Sequence, residues 1–247
     1  MKTAFTLLEL LVVIAIIGIL AAAGLPAIRG MTRSNATISA NRQMLDAINY
    51  ARQRAMSDHT TVYLVFIPPA IADPTQFPLT TTDPAVLGQY TNLWGGQYTT
   101  YAMISLRSVG DQPGRSTPHY LGEWRTLPNG VFIAANKFAA YNAALPTPYG
   151  QAFHTNAFPF PLVSSNATTC MLPCVGFDYL GRLVSQQDEA IPLARGSIFY
   201  ARDGNGHYLQ QVADVLETPL TNSLSTSNVI YINALTGRAQ LQNQQIQ

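Results

Sequence analysis

The chain has 247 residues, enough for a membrane helix, a connecting segment and one globular domain. Only 11% of the residues are charged and the formal net charge is +1, so bulk charge does not support nucleic-acid binding. Many Thr, Ser, Asn, Gln and Tyr residues accompany this low charge, a composition that indicates an exported, β-rich protein.

Residues 5–28 form an apolar segment long enough to cross a bilayer, and Glu9 is its single charged residue. An ionised carboxylate costs roughly 2.5–3.5 kcal/mol at a membrane centre and less near the interface, so Glu9 is a candidate functional residue. Lys2 is the only basic residue before the segment, whereas Arg29 and Arg33 follow it. Charge alone therefore does not fix the orientation of the segment.

Two residues of the apolar segment are predicted to break its helix. Pro26 cannot donate a backbone hydrogen bond to Ala22 and should kink the helix. Gly18 loosens a helix by about 1 kcal/mol relative to alanine.

Residues 29–57 continue as an amphipathic helix, because Ile38, Leu45, Ile48 and Ala55 approximate one face. This face is too narrow to keep the helix folded alone in water, so packing against the rest of the chain must stabilise it. The arginines of this segment are predicted to lie on a solvated helix face, with contacts to lipid headgroups or to other subunits as the alternative.

Residues 58–247 predict a globular, β-rich domain. Strands are expected at 61–67, 98–107 and 131–135, and two stretches rich in turn-forming residues predict long loops at 68–97 and 136–173. Two hairpins are predicted in the last third, around the turns at 203–206 and 235–237. A long helix followed by antiparallel strands predicts the α+β class, with the helix packed on the C-terminal sheet domain.

Cys170 and Cys174 are the two cysteines of the chain. In an oxidising compartment their spacing allows a small-loop disulfide, and free thiols are the alternative. A zinc site would need more ligands than these two residues supply.

Other chemistry leaves little trace in the sequence. The four histidines are scattered, and the Asp203, Asn205 and His207 triplet resembles a calcium loop without its distal glutamate. No phosphate-binding loop or nucleophile–base motif is present, so we predict no enzyme activity, cofactor, metal or small-molecule substrate. Aromatic residues of the irregular stretches either anchor loops on the sheet or mark a partner surface: Phe77, Tyr90, Trp94, Trp124, Phe153, Phe158 and Phe160.

The N-terminus, Met1-Lys2-Thr3-Ala4 followed by Phe5-Thr6-Leu7-Leu8-Glu9 and the apolar helix, resembles that of type IV prepilins and type II secretion pseudopilins. The resemblance implies that residues 1–4 are a leader peptide, that prepilin peptidase cuts between Ala4 and Phe5, and that the new amine of Phe5 is methylated. The family usually has glycine before the cut, so Ala4 is expected to slow processing at most.

The same resemblance implies how the chain assembles. Glu9 would pair with the N-terminal ammonium of a neighbouring subunit, which offsets two desolvation costs and fixes the axial step between subunits. Gly18 and Pro26 match positions that bound a segment losing helical structure in several assembled pili, and a local kink is the alternative. The implied partners are prepilin peptidase, other pilin or pseudopilin subunits, and inner-membrane lipid.

The implied function is that of a minor pilin or pseudopilin in a type IV pilus or type II secretion pseudopilus. The chain would cross the bacterial inner membrane once, with its C-terminal domain extracytoplasmic, before entering a periplasmic pseudopilus or cell-surface pilus. A secretory signal peptide or plain anchor remains an alternative for the N-terminus. For the whole chain, the alternative is a membrane-tethered extracytoplasmic binding module, including a DNA-uptake pilin, that does not polymerise.

A weaker resemblance to GspH/FimT-type minor pseudopilins covers residues 41–56, 176–182 and 236–238. Those proteins are usually shorter, so the stretches 68–97 and 136–173 would be insertions. Some FimT-like pilins bind DNA through arginines near the C-terminus, but here only Arg238 stands at such a place. Phosphate binding needs several cations at physiological salt, so a nucleic-acid partner is not expected.

Overall fold

The computed structural model of the chain describes residues 7–79, 83–108, 111, 117–163, 168–224 and 228–242, and of residues 21–34 and 85 it describes the backbone alone. One long helix packs on two antiparallel sheets. This arrangement confirms the predicted α+β class, with a long N-terminal helix on a C-terminal antiparallel domain. The sequence did not indicate that the strands divide into two sheets.

The long helix, α1, spans Leu7–Ser57 without interruption. The break predicted at Gly18 and Pro26 is therefore not observed, and the two predicted segments form one helix of roughly 77 Å. A proline removes one backbone hydrogen bond, and the strong helix formers on either side keep the neighbouring turns intact. A side chain at Gly18 would meet no atom within 4 Å. Among the residues that the structure describes, no helix contains a stretch long and apolar enough to cross a membrane.

The C-terminal part of α1 buries one face in the domain. Its buried residues recur at helical spacing: Thr37, Ala40, Asn41, Met44, Ala47, Ile48, Ala51 and Ala55. Ile48 and Ala55 lie on this face as predicted, but Ile38 is 47% exposed and Leu45 is half-buried. The true face runs through alanines, because small side chains let the sheets approach the helix closely.

The first sheet has six strands in the order β3-β2-β1-β7-β6, with β4 also paired to β2. Its strands are β1 (Val62–Phe66), β2 (Thr100–Ser105), β3 (His119–Tyr120), β4 (Arg125–Thr126), β6 (His154–Phe160) and β7 (Thr168–Phe177). Every residue of β1 is buried. Val62, Leu64 and Phe66 join the core around α1, whereas Tyr63 and Val65 join a second core on the other face of the sheet.

The second sheet has five strands in the order β11-β10-β8-β5, with β9 paired to β8. Its strands are β5 (Val131–Ile133), β8 (Glu189–Phe199), β9 (Asp214–Glu217), β10 (Val229–Ile232) and β11 (Ala239–Gln242). The predicted C-terminal hairpin is confirmed as β10–β11. The hairpin predicted around 203–206 was wrong in register: only Arg202 and Tyr208 pair there, and β8 instead pairs with β9 from Gly196↔Glu217 to Phe199↔Asp214.

The two stretches predicted as long loops are largely ordered. Residues 68–97 contain a short 3-10 helix (Pro69–Ala72) and the helix α2 (Pro84–Trp94), and residues 136–173 contain β6 and the start of β7. Their aromatic side chains form the second core: Phe77 and Tyr90 each meet Phe160 edge to face, with ring centroids 5.5 and 5.1 Å apart. Packing against the sheet therefore favours the anchoring role for these rings.

Candidate assembly interface on the N-terminal helix

The first fourteen residues of α1, here called the proximal segment (residues 7–20), are all exposed. Apart from Glu9, Ala15 and Gly18, they are Leu, Val and Ile. An apolar surface of this length is far larger than the scattered apolar side chains of an ordinary protein surface, and such surfaces mark sites of association with protein or lipid. The proximal segment is therefore the candidate functional site.

Glu9 is the single ionisable residue of the proximal segment, and it is exposed in the first turn of α1. A carboxylate is favourable at this end of a helix because the helix dipole places partial positive charge there. The side chains of Leu8 and Leu10 beside it are exposed. Any partner that covers these leucines must also accommodate a carboxylate. Ala4 and Phe5, the predicted cleavage and methylation residues, lie outside the described residues.

The buried part of α1, here called the distal segment (residues 37–55), is held to the domain by Arg52 as well as by its apolar face. The Nε–H of Arg52 points to the carbonyl oxygens of Gly181 and Thr236, at 3.1 and 2.8 Å. Arg52 thus contacts backbone of the same chain, and the prediction of a solvated or lipid-facing arginine was wrong for this residue. A charged residue on a helix carries no sequence signal for such a contact.

Arg52 brings together two turns that are far apart in sequence. Gly181 and Gly237 have positive φ angles of 76° and 59°, which favour glycine. A Cβ atom at Gly237 would lie 2.0 Å from the carbonyl oxygen of Gly181. The segments 176–182 and 236–238, which carry the weaker family resemblance, therefore lie side by side on the distal segment.

Cys170 and Cys174 are free, buried thiols. Both lie on β7, and their pairing with Phe158 and His154 on β6 shows four residues of regular extended strand between them. Four residues of strand span roughly 13 Å at about 3.3 Å per residue. A disulfide needs Cα atoms within about 7 Å, so the strand rules out the bridge that the spacing allowed and leaves the free-thiol alternative.

Cys174 also lines a small cavity of about 170 Å³ together with Tyr63, His154 and Glu189. This is a cluster of titratable residues of the kind that a hydrolase would need. Burial, with a smaller contribution from the nearby Glu189 carboxylate, raises the pKa of the Cys174 thiol to about 12. The sulfur is therefore a neutral thiol at physiological pH, and a neutral thiol is a poor nucleophile.

Glu189 itself forms a buried ion pair with Lys137, and the two side chains are 4% and 0% exposed. The ammonium also donates to the carbonyl oxygen of Gln151 at 2.8 Å and lies 4.9 Å from the ring centroid of Phe153. Burial lowers the pKa of Lys137, although the Glu189 carboxylate opposes this shift. The pair fixes the segment after β5 onto β8, which is a structural role that the sequence did not indicate.

The comparisons with known proteins agree with the N-terminal site. Residues 1–25 match the prokaryotic N-terminal methylation motif. No curated protein matches the chain in sequence.

Among solved structures, the chain is similar to the crystal structure of the type IV minor pilin FimU of Pseudomonas aeruginosa. The two share 14% identity over 86% of this chain and 92% of that one, with a TM-score of 0.34. A TM-score of this size carries no argument about function. The methylation motif, borne on a long helix that leads into an antiparallel β domain, makes the chain a type IV pilin-like protein.

Proposed function

We propose that this chain is a minor subunit of a type IV pilus or type II secretion pseudopilus, and that it joins the filament through the proximal segment. The observation that carries the proposal is the N-terminal methylation motif of residues 1–25, which runs into an exposed apolar helix. A helix that is apolar on all sides is stable only where lipid or protein covers it. A filament of packed N-terminal helices supplies such a cover.

Processing prepares the N-terminus for assembly. Prepilin peptidase cuts between Ala4 and Phe5 and methylates the new amine, which keeps a positive charge as a secondary ammonium. Glu9 of one subunit then pairs with this ammonium of its neighbour. In an apolar surrounding each charge alone would be costly, so pairing both stabilises the contact and sets the axial position of the incoming subunit.

Before assembly the chain is held in the inner membrane by residues 5–28, with the β domain on the extracytoplasmic side. The motif implies a membrane-anchored pilin, and the apolar sequence of residues 5–28 supports a single crossing. The second core formed by α2, β6 and β7 adds a layer to the first sheet on the side away from α1. This layer favours a domain that caps, primes or decorates the fibre.

The test compares Glu9→Ala with wild type, each expressed full-length in cells that make the filament. We expect both proteins in the membrane fraction, and the amount of Glu9→Ala in sheared filaments to fall by about tenfold or more. Glu123→Gln is the matched control, because Glu123 is an exposed carboxylate on the domain. Normal incorporation of Glu9→Ala would refute the pairing role. A wild-type chain that stays in the membrane and never enters filaments would instead support the tethered binding module.

A further inference from the structure

A cleft of about 700 Å³ opens between the C-terminal end of α2, the β4 region of the first sheet, and strands β5 and β8 of the second sheet. Its size falls in the range of about 300–1,000 Å³ that is usual for ligand sites. None of the described residues that line it carries a charge. The cleft is therefore suited to a neutral ligand, since phosphates and carboxylates are normally met by cationic groups.

Trp124, Tyr200 and Tyr208 supply aromatic surface to this cleft, and all three are half-buried. The indole N–H of Trp124 donates to the carbonyl oxygen of Pro161 at 3.1 Å. The hydroxyl of Tyr200 donates to the carbonyl oxygen of Gln97 at 3.2 Å. These bonds hold the two rings in place without a ligand.

Tyr208 is fixed in a different way. Its ring lies directly against Gly95, where a Cβ atom would be 2.3 Å from the ring carbon Cζ. The guanidinium of Arg202 covers the ring at 4.2 Å from the centroid, and it also donates to the tyrosine hydroxyl at 2.8 Å. Rings that are already ordered lose little entropy when a ligand stacks on them.

Exposed polar side chains stand at the edge of the cleft. Asn92 and Asn129 present amides, which both donate and accept hydrogen bonds, and Ser197 presents a hydroxyl. A second cavity of about 300 Å³ shares Asn129 and Ser197 with the first. The cleft therefore extends beyond a single compact pocket and suits an elongated ligand.

We propose that this cleft binds an uncharged oligosaccharide. Sugar rings combine an apolar C–H face, which stacks on aromatic rings, with hydroxyl groups that exchange hydrogen bonds with amides and hydroxyls. The cleft offers both kinds of partner and no charge. Such a site would lie on the β domain, apart from the proximal segment, and it does not depend on filament assembly.

The test uses the full-length chain in a detergent without a sugar headgroup, because a glycoside detergent would compete for the site. Neutral hexose and N-acetylhexosamine oligosaccharides, with acidic oligosaccharides beside them, are first screened on a glycan array. Binding is then titrated by tryptophan emission, which Trp124 reports. We expect saturable binding of at least one neutral oligosaccharide and none of the acidic ones.

The variant Asn92→Ala/Asn129→Ala should bind that oligosaccharide about tenfold or more weakly, because each amide loses a hydrogen bond. Both asparagines are exposed, so the fold should be unaffected. Asn205→Ala, an exposed asparagine in the 203–206 turn, is the matched control and should bind as wild type. Absence of saturable binding to every neutral oligosaccharide, binding of acidic ones alone, or wild-type affinity of the double variant would overturn the proposal.

Discussion

The two parts of α1 are built from similar apolar residues but use them in opposite ways. The distal segment alternates apolar and polar positions at helical spacing and buries one face in its own domain. The proximal segment is apolar on every side and exposes all of it. The difference teaches that the distribution of apolar residues around a helix, more than their number, separates packing within a chain from packing between chains.

The largest expected contrast comes from the same substitution in each segment. Ile48 is 0% exposed and Ile14 is 61% exposed. Ile48→Ala should lower the free energy of unfolding by roughly 2–5 kcal/mol, because it removes buried methyl groups and leaves a cavity. Ile14→Ala should change it by less than about 0.5 kcal/mol. Urea unfolding of the full-length chain in detergent, followed by tryptophan emission, measures both. Equal destabilisation by the two variants would erase the distinction between the segments.

Two glycines sharpen the comparison in the next step. Gly237→Ala should destabilise the domain by about 1–3 kcal/mol, because the new Cβ would collide with the carbonyl oxygen of Gly181 and the backbone has a positive φ. Gly18→Ala adds a methyl group in open space and should cost no stability, since alanine favours a helix by about 1 kcal/mol. Thermal unfolding by circular dichroism compares them. A stable Gly237→Ala variant would show that the two turns are not packed on the distal segment as described.

The smallest of these effects concerns Arg52. Arg52→Ala should lower the free energy of unfolding by about 1–2 kcal/mol, because two turn carbonyls lose a charged hydrogen-bond donor. Arg42→Ala is the control, since Arg42 is exposed one face away and should change stability by less than about 0.5 kcal/mol. The same urea titration applies. If the two arginine variants behaved alike, Arg52 would be an ordinary surface residue.

Much of the fold follows from local sequence pattern. Strands β1, β2, β5, β10 and β11 occur where runs of apolar or β-branched residues predict them. The helix α2 was missed because Gly88, Thr91 and Asn92 are weak helix formers. Burial of Tyr90 and Leu93 in the second core stabilises it, and burial of this kind depends on distant segments.

Prolines hid the strands β6 and β7. Pro159 is tolerated because β6 is the edge strand of the first sheet, where a missing N–H disturbs no inner ladder. Pro173 lies one residue outside the part of β7 that pairs with β1, which runs from Cys174 to Phe177. The sequence alone cannot show which strand will be at an edge, so these prolines indicated loops.

The candidate site divides in the same way. The motif through Glu9 was visible in the sequence because it is a contiguous pattern. Arg52, the turn at Gly181 and the aromatic cleft depend on residues more than a hundred positions apart. No local pattern records such contacts.

The most direct test of the central claim is mass spectrometry of the chain recovered from sheared filaments. Assembly through the proximal segment predicts that the filament fraction contains the chain and that its N-terminal peptide begins at Phe5 with one added methyl group. Absence of the chain from filaments, or its presence there with Met1 still attached, would contradict the account.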